Sequence, residues 1–572
     1  MTRSQLSLIS ILEDAVSHHQ KGNLSKAEKL YKKVIQKDPA QPDALNLLGV
    51  IYEQKGDLES SLKWFDKAIN VAPKLATIYF NKGNTLKKLG RPEHAQTAYE
   101  KAIECEPLFQ NAFLNLGVLL QETKKIPKAL ECFHQLLKIA PGNAKAHYNI
   151  GKCYQILNKF QDAQKSLSQS LKLNSKDPDT HFALANIYSS QHSYTKAIQH
   201  VKKALNFKPN WAEAYTNWGN YLSSIEDFSQ AIMKFEMALQ IEPNNINATV
   251  NRSLALLSTG DFEAGWKGYK LRQDSTAPFY DYSKSTWKRW NGENINQKTV
   301  LIRNEQGLGE EILYASLLKE ICAVTKSATL LCSNKILTVF KRSFNEISNL
   351  VILDKDDIRS IREYNFDYEI SLADLGSVCR NSLGSFPSPT PYLKPNQNKV
   401  KKIRKTLQSL YGREKLFIGI SWQSGNPLIG NEKSIPLEHW LEILELETIQ
   451  FVNLQYGLAQ SNFDFLPTPL RQKISTLASV NLNGDLDDIL SIINAVDLTI
   501  SCSNTNAHLA GASGQTTFVL LPKGRARIWY WLLNSKTTLW YYKTLLFRQT
   551  EAGDWHQPLK DVLYKLQLLV AR

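Results

Sequence analysis

The chain has 572 residues, 43% hydrophobic and 22% charged, with a formal net charge of +15. That length exceeds one hydrophobic core and predicts two or three domains of an ordinary folded protein. Its Lys and Arg are interleaved with Glu and Asp, with no long basic run and no recognisable nucleic-acid module, so nucleic acid is not an expected partner.

The first residues, MTRSQLSLISILEDA, meet Glu13 and Asp14 before any long apolar run, which makes a poor signal peptide. No stretch of ~18 uncharged apolar residues follows, so no transmembrane helix is expected. The seven cysteines are scattered, odd in number and without metal-ligand spacing, which fits a reducing compartment. The expectation is a cytoplasmic protein, with peripheral membrane contact left open and the oligomeric state undetermined.

From residue 8 to about 272 a 34-residue period runs in one register. Gly49, Phe65, Ala68 and Pro73 recur as Gly83, Tyr99, Ala102 and Pro107, then as Gly117, Phe133, Leu136 and Pro141, and the frame continues to Pro243. A period of this length predicts a solenoid of antiparallel helix pairs. In one unit, helix A spans 44–54 and helix B 58–70, with Lys55-Gly56-Asp57 as the turn. The glycine of helix A marks a close approach to helix B, and Pro73 stops helix B. The pattern resembles the tetratricopeptide repeat, present about eight times; the first unit, around Gly22 and Tyr31, is less regular. The last, from Asn247, changes character at Gly265-Trp266.

One repeat position carries Asn81, Asn115, Asn149, Asn217 and Asn251, interrupted by Leu47 and Ala183. Such a position faces the concave side of a solenoid. An amide there can donate to a peptide carbonyl and accept from a peptide N–H, holding an extended acceptor polypeptide with little regard for its sequence. The arm resembles that of the O-GlcNAc transferases, in which a similar asparagine ladder binds acceptor protein. The plainer alternative is that Asn serves the local structure of the repeat.

After residue 272 strands alternate with helices. Strands are predicted at 299–303, 328–332, 351–353 and 368–371, with a helix over 310–322. A Pro-rich linker at 386–395 precedes further strands at 416–422, 449–455, 497–501 and 516–522. This order predicts parallel sheets, and two such sets predict two Rossmann-like lobes. Ligands of open α/β sheets bind beyond the C-terminal strand ends, so the loops there carry the chemistry. The first, from Asn304 to Glu311, contains Gly307, Gly309 and Glu310. The second, 423–434, contains Gly425, Asn426, Lys433 and Ser434, a lysine on a glycine-rich loop suited to a phosphate. The third, 501–511, contains Ser503, Asn504 and Thr505 before a helix that carries His508, an arrangement suited to an anion. Lys523, Arg525 and Arg527 follow a strand end and offer further phosphate contacts or an exposed basic turn.

The segments GLGE, ISWQSGNP, KSIPL, SNTNAHLAGASG and LFRQTEAGDW resemble the glycosyltransferase domain of bacterial tetratricopeptide-repeat proteins, which is similar to glycosyltransferase family 9, the ADP-heptose:lipopolysaccharide heptosyltransferases. The likeness covers about 296–570. It implies a GT-B fold with lobes at 273–395 and 396–572, the donor nucleotide-sugar mainly on the second lobe and the acceptor on the first, and inverting transfer without a metal ion. Glu310 stands where the family usually has an aspartate base, and Ser503 to His508 replaces D-T-x-x-x-H. On this reading Glu310 takes the acceptor proton, and His508 bonds a phosphate or the sugar. Gly307, Gly309, Gly425, Asn426, Lys433, Ser434, Ser503, Asn504 and Thr505 line the donor site. The alternative is a non-catalytic tetratricopeptide scaffold with a degenerate transferase domain.

Overall fold

The computed structural model describes residues 3–274, 287–357, 365–456, 466–478 and 480–571. It forms two compact units, Met1–Pro209 and Asn210–Arg572.

The first unit is all helical. Antiparallel pairs are formed by α1 (Arg3–Gln20) and α2 (Leu24–Lys37), α3 (Pro42–Gln54) and α4 (Leu58–Val71), and α5 (Ala76–Lys88) and α6 (Pro92–Cys105). They continue with α7 (Gln110–Glu122) and α8 (Ile126–Ile139), α9 (Ala144–Ile156) and α10 (Phe160–Leu173), and α11 (Pro178–Ser190) and α12 (Tyr194–Phe207). Tyr31, Phe65, Tyr99 and Phe133 are fully buried at one position of successive B helices. Each of the last three presses on the glycine of its A helix. A Cβ on Gly117 would come within 2.5 Å of the Phe133 ring, and one on Gly49 within 2.6 Å of Phe65. Gly117→Ala is therefore expected to destabilise the array by about 1–3 kcal/mol in urea unfolding. Combined with Phe133→Ala it should lose less than the sum of the two, as coupled neighbours do.

The turn between A and B helices needs a left-handed residue every 34 positions. Glycine supplies it at Gly22, Gly56, Gly90 and Gly260, but Lys124, Asn158, His192 and Glu226 hold the same positive φ with a side chain. Lys124→Gly should raise the urea midpoint, worth up to about 1 kcal/mol, by removing a Cβ clash that outweighs the extra backbone entropy. Glu226→Gly should do the opposite. Its carboxylate accepts the Gly524 N–H at 3.1 Å and lies 3.5 Å from Arg527, contacts a glycine cannot make.

The second unit opens with two more helix pairs, α13 (Ala212–Ser224) with α14 (Phe228–Ile241) and α15 (Ile246–Thr259) with α16 (Phe262–Tyr269). Two parallel sheets follow. The first has the order β1-β5-β2-β3-β4, with β1 Lys288–Arg289, β2 Thr299–Arg303, β3 Ser327–Cys332, β4 Leu350–Asp354 and β5 Tyr368–Ser371. The second has the order β11-β10-β9-β6-β7-β8. Its strands are β6 Leu416–Ser421, β7 Ile449–Asn453, β8 Ile474–Ser475, β9 Leu498–Cys502, β10 Thr517–Leu521 and β11 Thr544–Arg548. Every strand pairing is parallel. The central strands of the second sheet are buried throughout, as a sheet covered on both faces requires.

The eight predicted strands are present within a residue or two. The short β1 and β8 and the edge strand β11 were not anticipated: two residues carry no alternation, and LFR reads equally as loop. The helix predicted over 310–322 is two helices, α17 (Leu308–Ala315) and Leu318–Val324. They part where the Ser316 hydroxyl turns back to donate to the Leu313 carbonyl at 2.7 Å.

Each sheet reverses its winding once. The chain leaves β2 toward β3 and β4 and returns on the other side as β5. It leaves β6 toward β7 and β8 and returns as β9. The crevices therefore open after β2 in one lobe and between β6 and β9 in the other. The lobes meet at these crevices, where α17 packs on the helix Thr505–Ala512. Gly309 makes the approach possible, since a Cβ there would lie 2.8 Å from the His508 ring. The Pro-rich linker is tied to the same helix, with the Tyr392 and Leu393 N–H groups donating to the Ala512 carbonyl at 2.9 and 3.1 Å.

Candidate functional site

Three predicted loops converge where the crevices meet. Glu310, in the first turn of α17, accepts a hydrogen bond from Tyr530 Oη at 3.2 Å. The same hydroxyl lies 3.2 Å from His508 Nε2, and His508 Nδ1 lies 2.7 Å from Tyr541 Oη. One proton arrangement satisfies the chain: Tyr541 donates to Nδ1, Nε2–H donates to Tyr530, and Tyr530 donates to Glu310. The histidine is 2% exposed, with its ring tilted 31° against Trp531. Burial, helped by the nearby Lys433 charge, lowers its pKa to about 3, so it is neutral across the physiological range. Both ring nitrogens are taken by tyrosines. His508 therefore holds Tyr530, rather than standing free for a phosphate or sugar.

Glu310 keeps a solvent-facing edge, while the protein around it raises its proton affinity; Lys433 and the Tyr530 hydroxyl pull in the opposite direction. Lys433, at the end of the second loop, is 4% exposed. No side chain or carbonyl among the described residues accepts from its ammonium. Burial pushes its pKa down and the Glu310 charge opposes that shift, yet no ion pair closes between the two groups. Glu311, the next acid, is structural: its carboxylate accepts from Asn304 Nδ2 at 2.8 Å and from the Ser333 N–H at 3.0 Å.

Several predicted donor residues shape the loops from within. Asn426 Oδ1 caps the Leu428 and Ile429 N–H groups at 2.9 and 3.1 Å. Ser434 Oγ accepts from Ser424 N–H at 3.0 Å and donates to the Gly430 carbonyl at 2.7 Å. Asn504 caps the helix Thr505–Ala512 through the Asn506 N–H at 2.9 Å and ties β9 to β6 through Ser421 Oγ at 2.8 Å. Ser503 Oγ accepts from the Trp531 indole at 2.9 Å, and Thr505 bonds Tyr456. Gly307 is exposed at the mouth of the first loop; Gly425 lies under the Tyr456 ring. Of the basic turn, Lys523 donates to the Thr550 carbonyl at 2.6 Å and Arg525 to Glu432 at 2.7 Å.

Sequence reasoning missed Tyr530, Tyr541 and Gln455. Gln455 Oε1 accepts from the Trp422 and Gln423 N–H groups at 3.1 and 2.8 Å and so orients the second loop. The aromatic run Trp529-Tyr530-Trp531 was a visible signal, but no spacing assigns it to the site.

Three of the five repeat asparagines donate to asparagines at other positions, and none of those three partners is another of the five. Within the first unit Asn81 Nδ2 donates to Asn46 Oδ1 at 3.1 Å and Asn115 to Asn84 at 2.8 Å. Within the second, Asn251 donates to Asn220 at 2.9 Å. Asn149 bonds the Lys145 carbonyl of its own helix at 2.8 Å, and Asn217 bonds Tyr221. All five are half-buried, and the amide oxygens of Asn81, Asn115 and Asn251 have no partner among the described residues. No described helix is long and apolar enough to cross a membrane.

Family models described as tetratricopeptide repeat match residues 41–105, 98–131, 144–177 and 178–210, and one described as TPR repeat matches 17–56. The protein FlbA of Caulobacter vibrioides is 26% identical over 323 residues, 54% of this chain and 53% of FlbA. The chain thus spans about half the length of the curated relative it matches. Among solved structures, a tetratricopeptide repeat protein from Parabacteroides merdae is 20% identical with a TM-score of 0.36, covering 44% of this chain and 99% of that one. MamA from Desulfovibrio magneticus is 18% identical with a TM-score of 0.28, covering 29% and 95%. The chain is a tetratricopeptide-repeat protein with a C-terminal α/β domain of parallel sheets.

Proposed function

We propose that the α/β domain is a GT-B glycosyltransferase that moves a sugar from a nucleotide-sugar to a hydroxyl of a protein or glycoconjugate acceptor, with the repeats recruiting the acceptor. The observation that carries this reading is one half-buried carboxylate and one buried lysine in facing crevices, attracted to each other yet not paired. A gap so charged suits an acid–base step on one side and an anionic leaving group on the other. Glu310 takes the proton as the acceptor oxygen attacks the anomeric carbon. The bond from that carbon to the diphosphate breaks, and its electron pair leaves on a phosphate oxygen next to Lys433. Attack opposite the leaving group inverts the centre. Tyr530 and His508 orient Glu310. No step is assigned to a metal ion. The asparagine amide oxygens support an extended polypeptide as acceptor, since each can accept from a peptide N–H.

A scaffold reading draws on Asn426, Ser434 and Asn504, whose side chains serve their own loops. A melting screen of nucleoside diphosphates, followed by transfer from a panel of nucleotide-sugars, separates the two. Stabilisation by a diphosphate and turnover of its sugar support the enzyme; no stabilisation by any leaves the scaffold.

A further inference from the structure

Two guanidinium groups, that of the buried Arg527 side chain and that of the half-buried Arg548, lie near each other behind β10 and β11 with little negative charge to match them. The Arg527 side chain is 4% exposed, and neither its Nη2 nor Arg548 Nη1 has a hydrogen-bond partner among the described residues. Arg527 also lies over the Phe228 ring, 4.9 Å from its centroid, and its Nη1 donates to the Leu532 carbonyl at 3.4 Å, while Arg548 Nη2 donates to the Trp531 carbonyl at 2.6 Å. One carboxylate, Glu226, answers both charges, and it is shared with the Gly524 N–H. Burying like charges with so little compensation is costly, and an anion from outside would relieve it.

Arg527 lines a cavity of about 360 Å³, with Gly524 and Arg525 on the same wall. The opposite wall is built from α13 and α15 and presents Asn220 and Asn251. Because Asn251 Nδ2 donates to Asn220 Oδ1, Asn220 retains a free Nδ2 and Asn251 a free Oδ1 among the described residues. That is one donor and one acceptor, the pair a peptide group needs. A free inorganic anion in the cavity would satisfy Arg527 but leave both amides unused.

We propose that this cavity binds an acidic stretch of extended polypeptide, with a carboxylate side chain pairing to Arg527 and a peptide group lying on Asn220 and Asn251. It rests on the reading that the repeats hold a polypeptide, and not on whether the α/β domain turns over. The test uses the full chain and fluorescein-labelled decapeptides of alternating Glu-Ser, Gln-Ser or Lys-Ser, read by anisotropy. Glu-Ser should bind about ten-fold tighter than Gln-Ser, and Arg527→Gln should shrink that preference to about two-fold or less. Arg527→Lys should keep most of the preference, and Lys124→Gln, an exposed cation elsewhere, all of it. If Arg527→Gln fails to fold, Asn251→Leu, which fills the cavity without touching the charges, should abolish Glu-Ser binding.

Equal binding of Glu-Ser and Gln-Ser, or a preference unmoved by Arg527→Gln, overturns the proposal. So does displacement of Glu-Ser by inorganic phosphate beyond that by chloride at equal ionic strength, the mark of a small-anion site. If Gln-Ser binds as well as Glu-Ser and Asn251→Leu abolishes it, the acidic preference fails while the polypeptide reading stands. No binding of any peptide defeats both.

Discussion

Lys433→Met is expected to abolish stabilisation by nucleoside diphosphates while raising the melting temperature of the ligand-free protein. The two effects have one cause. A lysine 4% exposed, with no acceptor for its ammonium among the described residues, has lost much of its hydration and regained little in return. Replacing a buried ion by an apolar side chain of similar length is often stabilising, by about 1–4 kcal/mol. A diphosphate in the crevice would supply the missing acceptor, and losing a desolvated charge pair costs about 2–5 kcal/mol of binding. Differential scanning fluorimetry with and without diphosphate reads both. The pH dependence has a definite sign. Burial depresses the folded-state pKa of Lys433 below 10.5, so the unfolded chain binds the proton more tightly. Stability of the wild type should therefore rise with pH in the window just below 10.5, and Lys433→Met should flatten that rise. A variant that keeps diphosphate stabilisation would remove Lys433 from the donor site.

The second large effect concerns the carboxylate. Glu310→Gln is expected to lower turnover about 10²–10⁴-fold, the usual worth of a positioned general base, with diphosphate stabilisation retained. Burial holds the Glu310 pKa above 4.5, and the Tyr530 hydroxyl opposes that shift by donating to the carboxylate. A base must be ionised, so the rate should fall as pH drops through this raised value. Tyr530→Phe removes the donated bond and should move the acid limb of the pH–rate profile to higher pH, with a smaller loss at high pH than Glu310→Gln. That displacement separates a positioning role from simple packing. Unchanged turnover in Glu310→Gln would exclude it as the base.

Much of the architecture was legible in the residues. Gly117 and Phe133 stand 16 apart in every register of the repeat, so their contact is written in a short window. The left-handed turn is similarly local, although Lys124 and Glu226 disguised it by doing without glycine. The strand runs 299–303 and 416–422 announced themselves as apolar segments ending in glycine-rich loops. Asn426, Ser434 and Asn504 are polar residues on the predicted loops, but a side chain's choice between a ligand and its own backbone depends on loop geometry that composition does not contain. His508 illustrates the same gap: its place in the helix was plain, whereas its two tyrosine partners stand 22 and 33 residues further on, one in the short 3-10 turn Trp529–Trp531 and one in the loop after it.

The period and the helix pairs follow from the sequence alone, because contacts between near neighbours in the chain create them, and the alternation of strands with helices marked the sheets as parallel. Tertiary structure alone decided that Glu310 meets Tyr530, 220 residues away, and that Lys433 comes within electrostatic reach of that carboxylate. Those meetings depend on two sheets reversing at their central strands and on Gly309 letting one helix settle against His508. Close approach between distant segments is set by packing of the whole domain, and no local pattern of residues encodes it.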